Sequence, residues 1–293
     1  MNEPTQQPRK KVGLACGGGF IRVAAQIGVL EVLQENNIPV DMIAGCSAGA
    51  AIAGAYAAGN LHPAKVRLSN GRRRDFWEVI FEPVMPVQGF LKGERNRKFF
   101  EEFVGDKTFA DMQTPLILVA TDLRSLREVI INEGPVAKAI QACTSVPGVF
   151  VPVPWGEMLL ADGGNFNLLP TKPLYEAGID YVIAVDTSQP PNPATRTMSK
   201  IKQFLNIQPV AEVRDSSGQK ANLKIYNIIG RAFSLSSSYI QNFQASSYRC
   251  NLLIRPDLLD VKRWHVSKVD YLVEKGRQAT LAALPQIKKD LGL

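Results

Sequence analysis

The stretch Ile43-Ala44-Gly45-Cys46-Ser47-Ala48-Gly49-Ala50-Ala51-Ile52-Ala53-Gly54 stands at the centre of the chain's organisation. An apolar run stops at a G-x-S-x-G pentapeptide, and small residues follow at once. A strand arriving at Gly45 and a helix leaving from Ala48 hold Ser47 on a tight corner, because Gly45 and Gly49 let backbone and helix approach closely. The serine hydroxyl then points outward beside the free N–H groups of a helix N-terminus, which favour developing negative charge. Alone the pentapeptide is a weak signal, arising by chance in about one chain of this length in ten. A small-residue turn packing a helix onto a sheet is the plain alternative.

Upstream, Val12-Gly13-Leu14-Ala15-Cys16 reads as a short buried strand running into Gly17-Gly18-Gly19. Val23, Ile27, Leu30 and Leu33 then form a helical stripe ending near Asn36-Asn37, and Ile38 to Ala44 is the strand that delivers Ser47. The helix from Ala48 closes at Gly59. This repeated strand-helix order predicts an α/β fold with a parallel sheet between helices. The triple-glycine loop has three readings: a dinucleotide cradle, a set of N–H donors for an oxyanion, or a turn. The first is disfavoured because the spacing is not G-x-G-x-x-G, no G-K-[ST] follows, and Asp41, about 20 residues on, starts the wrong segment. The oxyanion reading has a partner, since the next strand ends in a candidate nucleophile and both loops fall at one carboxyl edge.

The chain has 293 residues, 45% hydrophobic and 21% charged, as in an ordinary globular protein with one large core or two modest ones. Its net charge of +7 suits an anionic partner, nucleic acid or a membrane surface with acidic headgroups. Cys16, Cys46, Cys143 and Cys250 are scattered, with only His62 and His265 as imidazoles, so neither a zinc site nor a disulfide framework is suggested. Reduced thiols of this kind fit a cytoplasmic protein. Residues 1–11 read as a polar tail ending in Arg9-Lys10-Lys11, without the features of a secretory signal. No window approaches about 18 consecutive apolar residues, so no transmembrane helix is expected and any membrane contact is peripheral. Residues 12–293 read as a single domain.

Residues 61–110 mix Gly71-Arg72-Arg73-Arg74 with Phe76-Trp77, Phe81, Phe90 and Phe99-Phe100. They suit a lid meeting lipid headgroups, with arginines on phosphate and aromatics at the apolar boundary. A solvated face on ordinary helices is the bland reading, and no nucleic-acid-binding module is recognisable. Leu116–Ala120, Arg127–Ile131, Met158–Ala161, Tyr181–Val185 and Leu252–Arg255 read as strands. Helices are expected over Val136–Ala142 and Val269–Ile287, and a polar, Ser-rich helical section up to Tyr248. The strand ending at Ala161 meets Asp162-Gly163-Gly164, a carboxylate at a corner that in isolation is a common turn.

Taken together, these residues resemble the patatin-like phospholipase family. The matching pieces are Gly17-Gly18-Gly19, Ile27-Gly28-Val29-Leu30, Ala44-Gly45-Cys46-Ser47-Ala48-Gly49, Pro147-Gly148-Val149-Phe150 and Asp162-Gly163-Gly164, in the family's order, over about residues 12–190. The resemblance implies a three-layer α/β/α sandwich with a mostly parallel central sheet. It implies lipid acyl hydrolysis with Ser47 as nucleophile, Asp162 as base and Gly17, Gly18 and Gly19 as oxyanion hole, supported by Gly45, Gly49, Arg22, Gly163 and Gly164. The expected partner is a phospholipid or other acyl-ester lipid, with no cofactor and no metal. The family's G-G-G-x-[RK]-G is altered, with Phe20-Ile21 before Arg22, so the basic residue arrives one place late and the next glycine is absent. Cys143 stands where the family often has serine. Two other readings remain: a Ser/Asp/His hydrolase completed by His265, and a catalytically silent lipid-binding protein on the same fold.

Overall fold

The computed structural model describes residues 9–85, 87–188, 250–261 and 265–293. The expected helical section up to Tyr248, and most of the N-terminal tail, lie outside the described residues. Within them, β1 (Val12–Cys16), β2 (Met42–Cys46), β3 (Leu116–Asp122), β4 (Arg127–Ile131), β5 (Val153–Trp155), β6 (Met158–Asp162), β7 (Tyr181–Val185) and β8 (Leu252–Ile254) form one sheet. The strand order is β5-β6-β3-β2-β1-β7-β8, with β4 paired to β3. From β3 through β2, β1 and β7 to β8 every pairing is parallel, and the β4, β5 and β6 pairings are antiparallel.

Strand periodicity divides the core between the two faces. Leu14 and Cys16 of β1, Ile43 of β2, Leu118 of β3 and Ile183 of β7 face the larger layer. That layer includes α1 (Ala24–Glu35), α2 (Ala48–Ala57), α6 (Val136–Thr144) and α8 (Val269–Leu291). Ala15, Ala44, Ile117, Val182 and Ala184 face the other side, where Leu169, Ile179 and Leu174 of α7 (Lys172–Glu176) cover them. Helices on both faces of a central sheet give the three layers expected.

The second strand starts later than the sequence pattern predicts. Pro39 has no N–H to donate; the first backbone bond to β1 runs from the Asp41 N–H to the Val12 carbonyl at 2.7 Å, and the paired strand begins at Met42, opposite Gly13. The Asp41 carboxylate accepts from the Val12 N–H at 2.7 Å and pairs with Arg9, closing the bottom of the β1–β2 pair. The long terminal helix extends past its expected end to Leu291, where Gly292 at φ 73° stops it. Its expected start, Val269, is also the observed one.

Residues 61–110 fold as α3 (Leu61–Ser69), α4 (Arg73–Ile80) and α5 (Glu94–Val104). Their aromatics divide: Phe100 and Phe103 are buried core, whereas Trp77, Phe81 and Phe90 are exposed. The stretch is thus three helices whose aromatics are split between the core and the surface.

α8 returns to lie along α1, and the contact depends on two absent side chains. A Cβ on Gly276 would stand 1.8 Å from the Ala25 carbonyl oxygen, and one on Gly28 2.0 Å from that of Val273. Gly276→Ala gains about 1 kcal/mol of helix propensity but forces these helices apart, an overpacking cost of about 3 kcal/mol. Urea denaturation is expected to find the variant about 2 kcal/mol less stable than the parent.

Candidate active site

Ser47 occupies the last step of β2 and the N-cap of α2, with φ 52° and ψ −137°. A residue with a Cβ is strained there by about 1–3 kcal/mol. The strain is sustained because both sides of the turn are wedged. A Cβ on Gly49 would lie 2.4 Å from the Cys16 carbonyl oxygen, and one on Gly18 only 2.8 Å from the Ser47 Cβ. The glycine loop thus passes directly against the serine, and only residues without side chains fit the contact.

Register brings Asp162 to the same point. β3 pairs with β2 as far as Cys46↔Val119, and the next residue, Ala120, pairs with Asp162 at the end of the antiparallel β6. The other flank of Ala120 is taken by Val129 of β4, so β6 lies on the β2 side of β3. The two strand ends therefore meet head to head along one neighbour. Ser47 Oγ donates to Asp162 Oδ2 at 2.7 Å. The second carboxylate oxygen accepts the Gly164 N–H at 2.8 Å, while the Asp162 N–H donates to the Ser145 carbonyl at 2.9 Å.

Asp162 is 6% exposed. Removing the carboxylate from water outweighs the hydrogen bonds from Ser47 and Gly164, and its pKa is pushed up from 3.8 to about 6. Cys46 and Cys143, both buried, have thiols pushed up first by burial and then by the Asp162 charge. Cys143, at the position where serine was noted, sits in the wall of the site as a neutral thiol.

The three loop glycines are not equivalent donors. The Gly17 N–H is engaged by the Val185 carbonyl at 3.2 Å, and that of Gly18 by the Leu168 carbonyl at 3.3 Å. Among the described residues the Gly19 N–H meets no acceptor, nor does the Ala48 N–H at the start of α2. The loop's carbonyls are all held from behind: Gly17 O by Gln26 Nε2 at 2.5 Å, Gly18 O by Thr187 Oγ1 at 3.0 Å, and Gly19 O by the Arg22 N–H at 3.2 Å. A planar peptide points its N–H opposite its carbonyl, so Thr187, buried beside Gly18, sets the direction of the Gly19 N–H. Gln26 and Thr187 were not among the residues picked out from sequence. Both are ordinary polar residues whose role exists only through the loop they face.

Arg22 is buried, and its Nε and Nη2 donate to the Val261 carbonyl at 2.8 and 2.6 Å. The altered residues after Gly19 form a 3-10 turn over Phe20–Val23, with Phe20 at φ 54°. This turn absorbs the extra residue before α1 and tethers the start of that helix to the segment preceding α8. His265 is exposed at the start of the 3-10 turn before α8. The direct bond between Ser47 and Asp162 leaves no space between them for an imidazole.

A cleft of about 540 Å³ is lined by Lys92, Arg97, Glu101, Lys138, Gln141 and Val153 among others. It includes neither Ser47 nor Asp162, and its Arg97 is already paired with Glu94 and Glu101.

The chain is thus an α/β protein that sets a strained serine at a strand-helix corner against a buried aspartate, beside a glycine loop. The patatin-like phospholipase profile matches residues 14–175, and the chain belongs to that family. An NTE family protein of Mycobacterium bovis, itself uncharacterized by name, is 34% identical over 175 residues, covering 60% of this chain and 48% of that one. Lysophospholipase NTE1 of Cryptococcus neoformans var. neoformans is 30% identical over 181 residues, 60% of this chain and 11% of the relative. The chain thus spans about half the length of the first of these relatives and a far smaller part of the second. Among solved structures, VipD from Legionella pneumophila aligns with a TM-score of 0.48 at 14% identity, over 96% of this chain and 67% of that one.

The raised Asp162 pKa carries a stability signature. The protonated carboxyl is favoured by folding, so this contribution is complete below 3.8 and is lost as pH rises through about 6. Asp162→Asn keeps an acceptor for Gly164 and does not titrate. From pH 4 to pH 7, chemical denaturation is expected to find the variant gaining about 2 kcal/mol relative to the parent. A constant difference across that range would contradict the assigned pKa.

Proposed function

We propose that this chain is a lipid acyl hydrolase of the phospholipase A or lysophospholipase type, cleaving carboxylic esters through Ser47 and Asp162. The observation that carries the proposal is the 2.7 Å bond from a strained serine hydroxyl to a buried carboxylate. Family membership and the printed name of the fungal relative support a lipid ester as substrate.

In this mechanism Ser47 Oγ attacks the ester carbonyl carbon as its proton passes to Asp162. The carbonyl oxygen becomes an oxyanion that the Gly19 N–H stabilises together with the first N–H groups of α2. Collapse of the tetrahedral intermediate breaks the ester C–O bond, and Asp162 returns its proton to the departing alcohol. A water then gives a proton to Asp162 as it attacks the acyl carbon, and collapse breaks the acyl C–Oγ bond while Asp162 returns that proton to Ser47 Oγ, releasing the fatty acid. An ordinary aspartate is a weak base for this step, and burial strengthens Asp162 toward neutrality. Thr187 acts as a positioning residue by aiming the Gly19 N–H.

Ser47→Ala and Asp162→Asn are each expected to lower turnover of a soluble p-nitrophenyl ester by roughly a thousandfold or more. His265→Ala is expected to keep parental turnover, which separates the two-residue reading from a triad. A fluorophosphonate should label Ser47 in the folded parent, as read by peptide mass spectrometry; absence of labelling would favour the silent lipid-binding reading. Because Asp162 must be ionised to accept a proton, kcat/KM should climb with pH through an apparent pKa of about 6 and then level off.

Thr187→Val, which preserves shape and removes the hydroxyl donor, is expected to reduce kcat roughly tenfold or more with little change in KM. Thr187→Ser should recover most of the loss. An equal fall in kcat for the Ser and Val variants would remove Thr187 from the mechanism.

A further inference from the structure

Between α4 and α5 the chain makes a loop whose two arms are bonded to each other and whose described apolar side chains face water. Pro83 and Leu91 bridge antiparallel, Val84 N–H donates to the Phe90 carbonyl at 3.1 Å, and Lys92 N–H to that of Glu82 at 2.8 Å. The loop is seated on the segment around Val149. Phe90 and Leu91 N–H groups both donate to the Val149 carbonyl at 3.0 and 2.9 Å, and Val151 N–H returns to Leu91 at 2.8 Å. Both arms of the loop are therefore anchored.

Its outward side chains find no cover among the described residues. Phe81 is 59% exposed, Met85 82%, Val87 86% and Phe90 61%, and Val149 beside them is 42% exposed. From Pro83 to Leu91 no residue carries a charge. Large exposed side chains clustered in one short stretch mark an interaction surface, where singly scattered ones would not.

The flanks carry opposite chemistry. Lys92 and Arg95 follow the loop directly, and Arg72, Arg73 and Arg74, the last paired with Glu78, stand at the far end of α4. Arg95 Nη1 donates to the Phe81 carbonyl at 3.3 Å, which brings a guanidinium to the base of the apolar cluster. Between residues 72 and 98 the seven Lys and Arg exceed the four Asp and Glu, in a chain of net charge +7. An apolar tip bordered by cations matches the boundary of an anionic lipid surface, with acyl chains within and phosphates at the rim.

We infer that the exposed side chains of Phe81, Met85, Val87 and Phe90 form the surface by which the protein seats itself on an anionic phospholipid bilayer, beside the Ser47 and Asp162 site. The inference rests on the proposed lipid-ester activity for its choice of partner. The link to that site is short. Val149 N–H donates to the Val146 carbonyl at 3.0 Å, and Ser145, next in the chain, accepts the Asp162 N–H at 2.9 Å. A lipid surface gripped by the loop therefore lies against the same segment that anchors Asp162.

The test uses Ser47→Ala protein, so that binding is read without turnover, and vesicles of phosphatidylcholine with or without phosphatidylglycerol. Cosedimentation is expected with the phosphatidylglycerol vesicles and several-fold weaker partition with phosphatidylcholine alone. Adding Met85→Ser, Val87→Ser and Phe90→Ser should lower partition at least tenfold while leaving the thermal midpoint unchanged. If that combination unfolds, Val87→Ser alone, at the most exposed of these positions, should still reduce partition several-fold. Undiminished partition of the folded variants, or a parent that stays in the supernatant with both vesicles, would overturn the inference. So would a dimer in sedimentation equilibrium that the substitutions dissolve, since the occupant would then be a second copy. Parental turnover of soluble p-nitrophenyl butyrate is measured separately: its failure removes the hydrolase reading, whereas vesicle binding lost through the loop substitutions is independent of it.

Discussion

The buried carboxylate of Asp162 is the constraint around which the other parts of the site are arranged. An aspartate out of water needs hydrogen bonds on both oxygens, and here Ser47 and Gly164 supply them. Because desolvation still outweighs those bonds, the carboxylate remains a stronger base than an aspartate in water. The strained Ser47 turn, the head-to-head meeting of β2 and β6, and the close approach of Gly18 all serve that one contact. Losing any of them would separate a donor and an acceptor that the surrounding packing can barely accommodate together.

The glycine loop shows a division of labour between backbone groups. Its carbonyls are fixed by Gln26, Thr187 and the Arg22 N–H, and two of its N–H groups close the loop onto Val185 and Leu168. What remains is one donor of defined direction at Gly19. A loop without side chains is flexible as an isolated peptide. Here its peptide planes are set by neighbours from β7's end and α1, so the direction of the Gly19 N–H is held by the fold.

Much of this architecture is legible in the residues themselves. The unbroken apolar runs Val12–Cys16 and Tyr181–Val185 mark strands with two covered faces, and the glycine corner at Ser47 marks the strand-helix turn. Asp162 was legible as a carboxylate at a strand end. What pattern cannot carry is pairing direction. Nothing in Met158–Asp162 says that it runs antiparallel to β3, so the proximity of Asp162 to Ser47 through adjacent register positions emerges only from the sheet. Thr187 was invisible for a related reason, since its bond to the Gly18 carbonyl depends on β7 lying next to β1. Pro39 was a readable signal that outweighs the apolar run around it, because a residue without an N–H cannot join the ladder.

The crossing of α8 over α1 at Gly28 and Gly276 bears on how the protein can be divided. The family match ends at residue 175, yet the helix that bears on the glycine loop's own helix comes from residues 269–291. A recombinant fragment trimmed to the matched span would retain Ser47 and Asp162 but strip the apolar cover from α1, whose N-terminal turn is also tied to Val261 by Arg22. The span of the family match and the packed unit around α1 therefore have different boundaries.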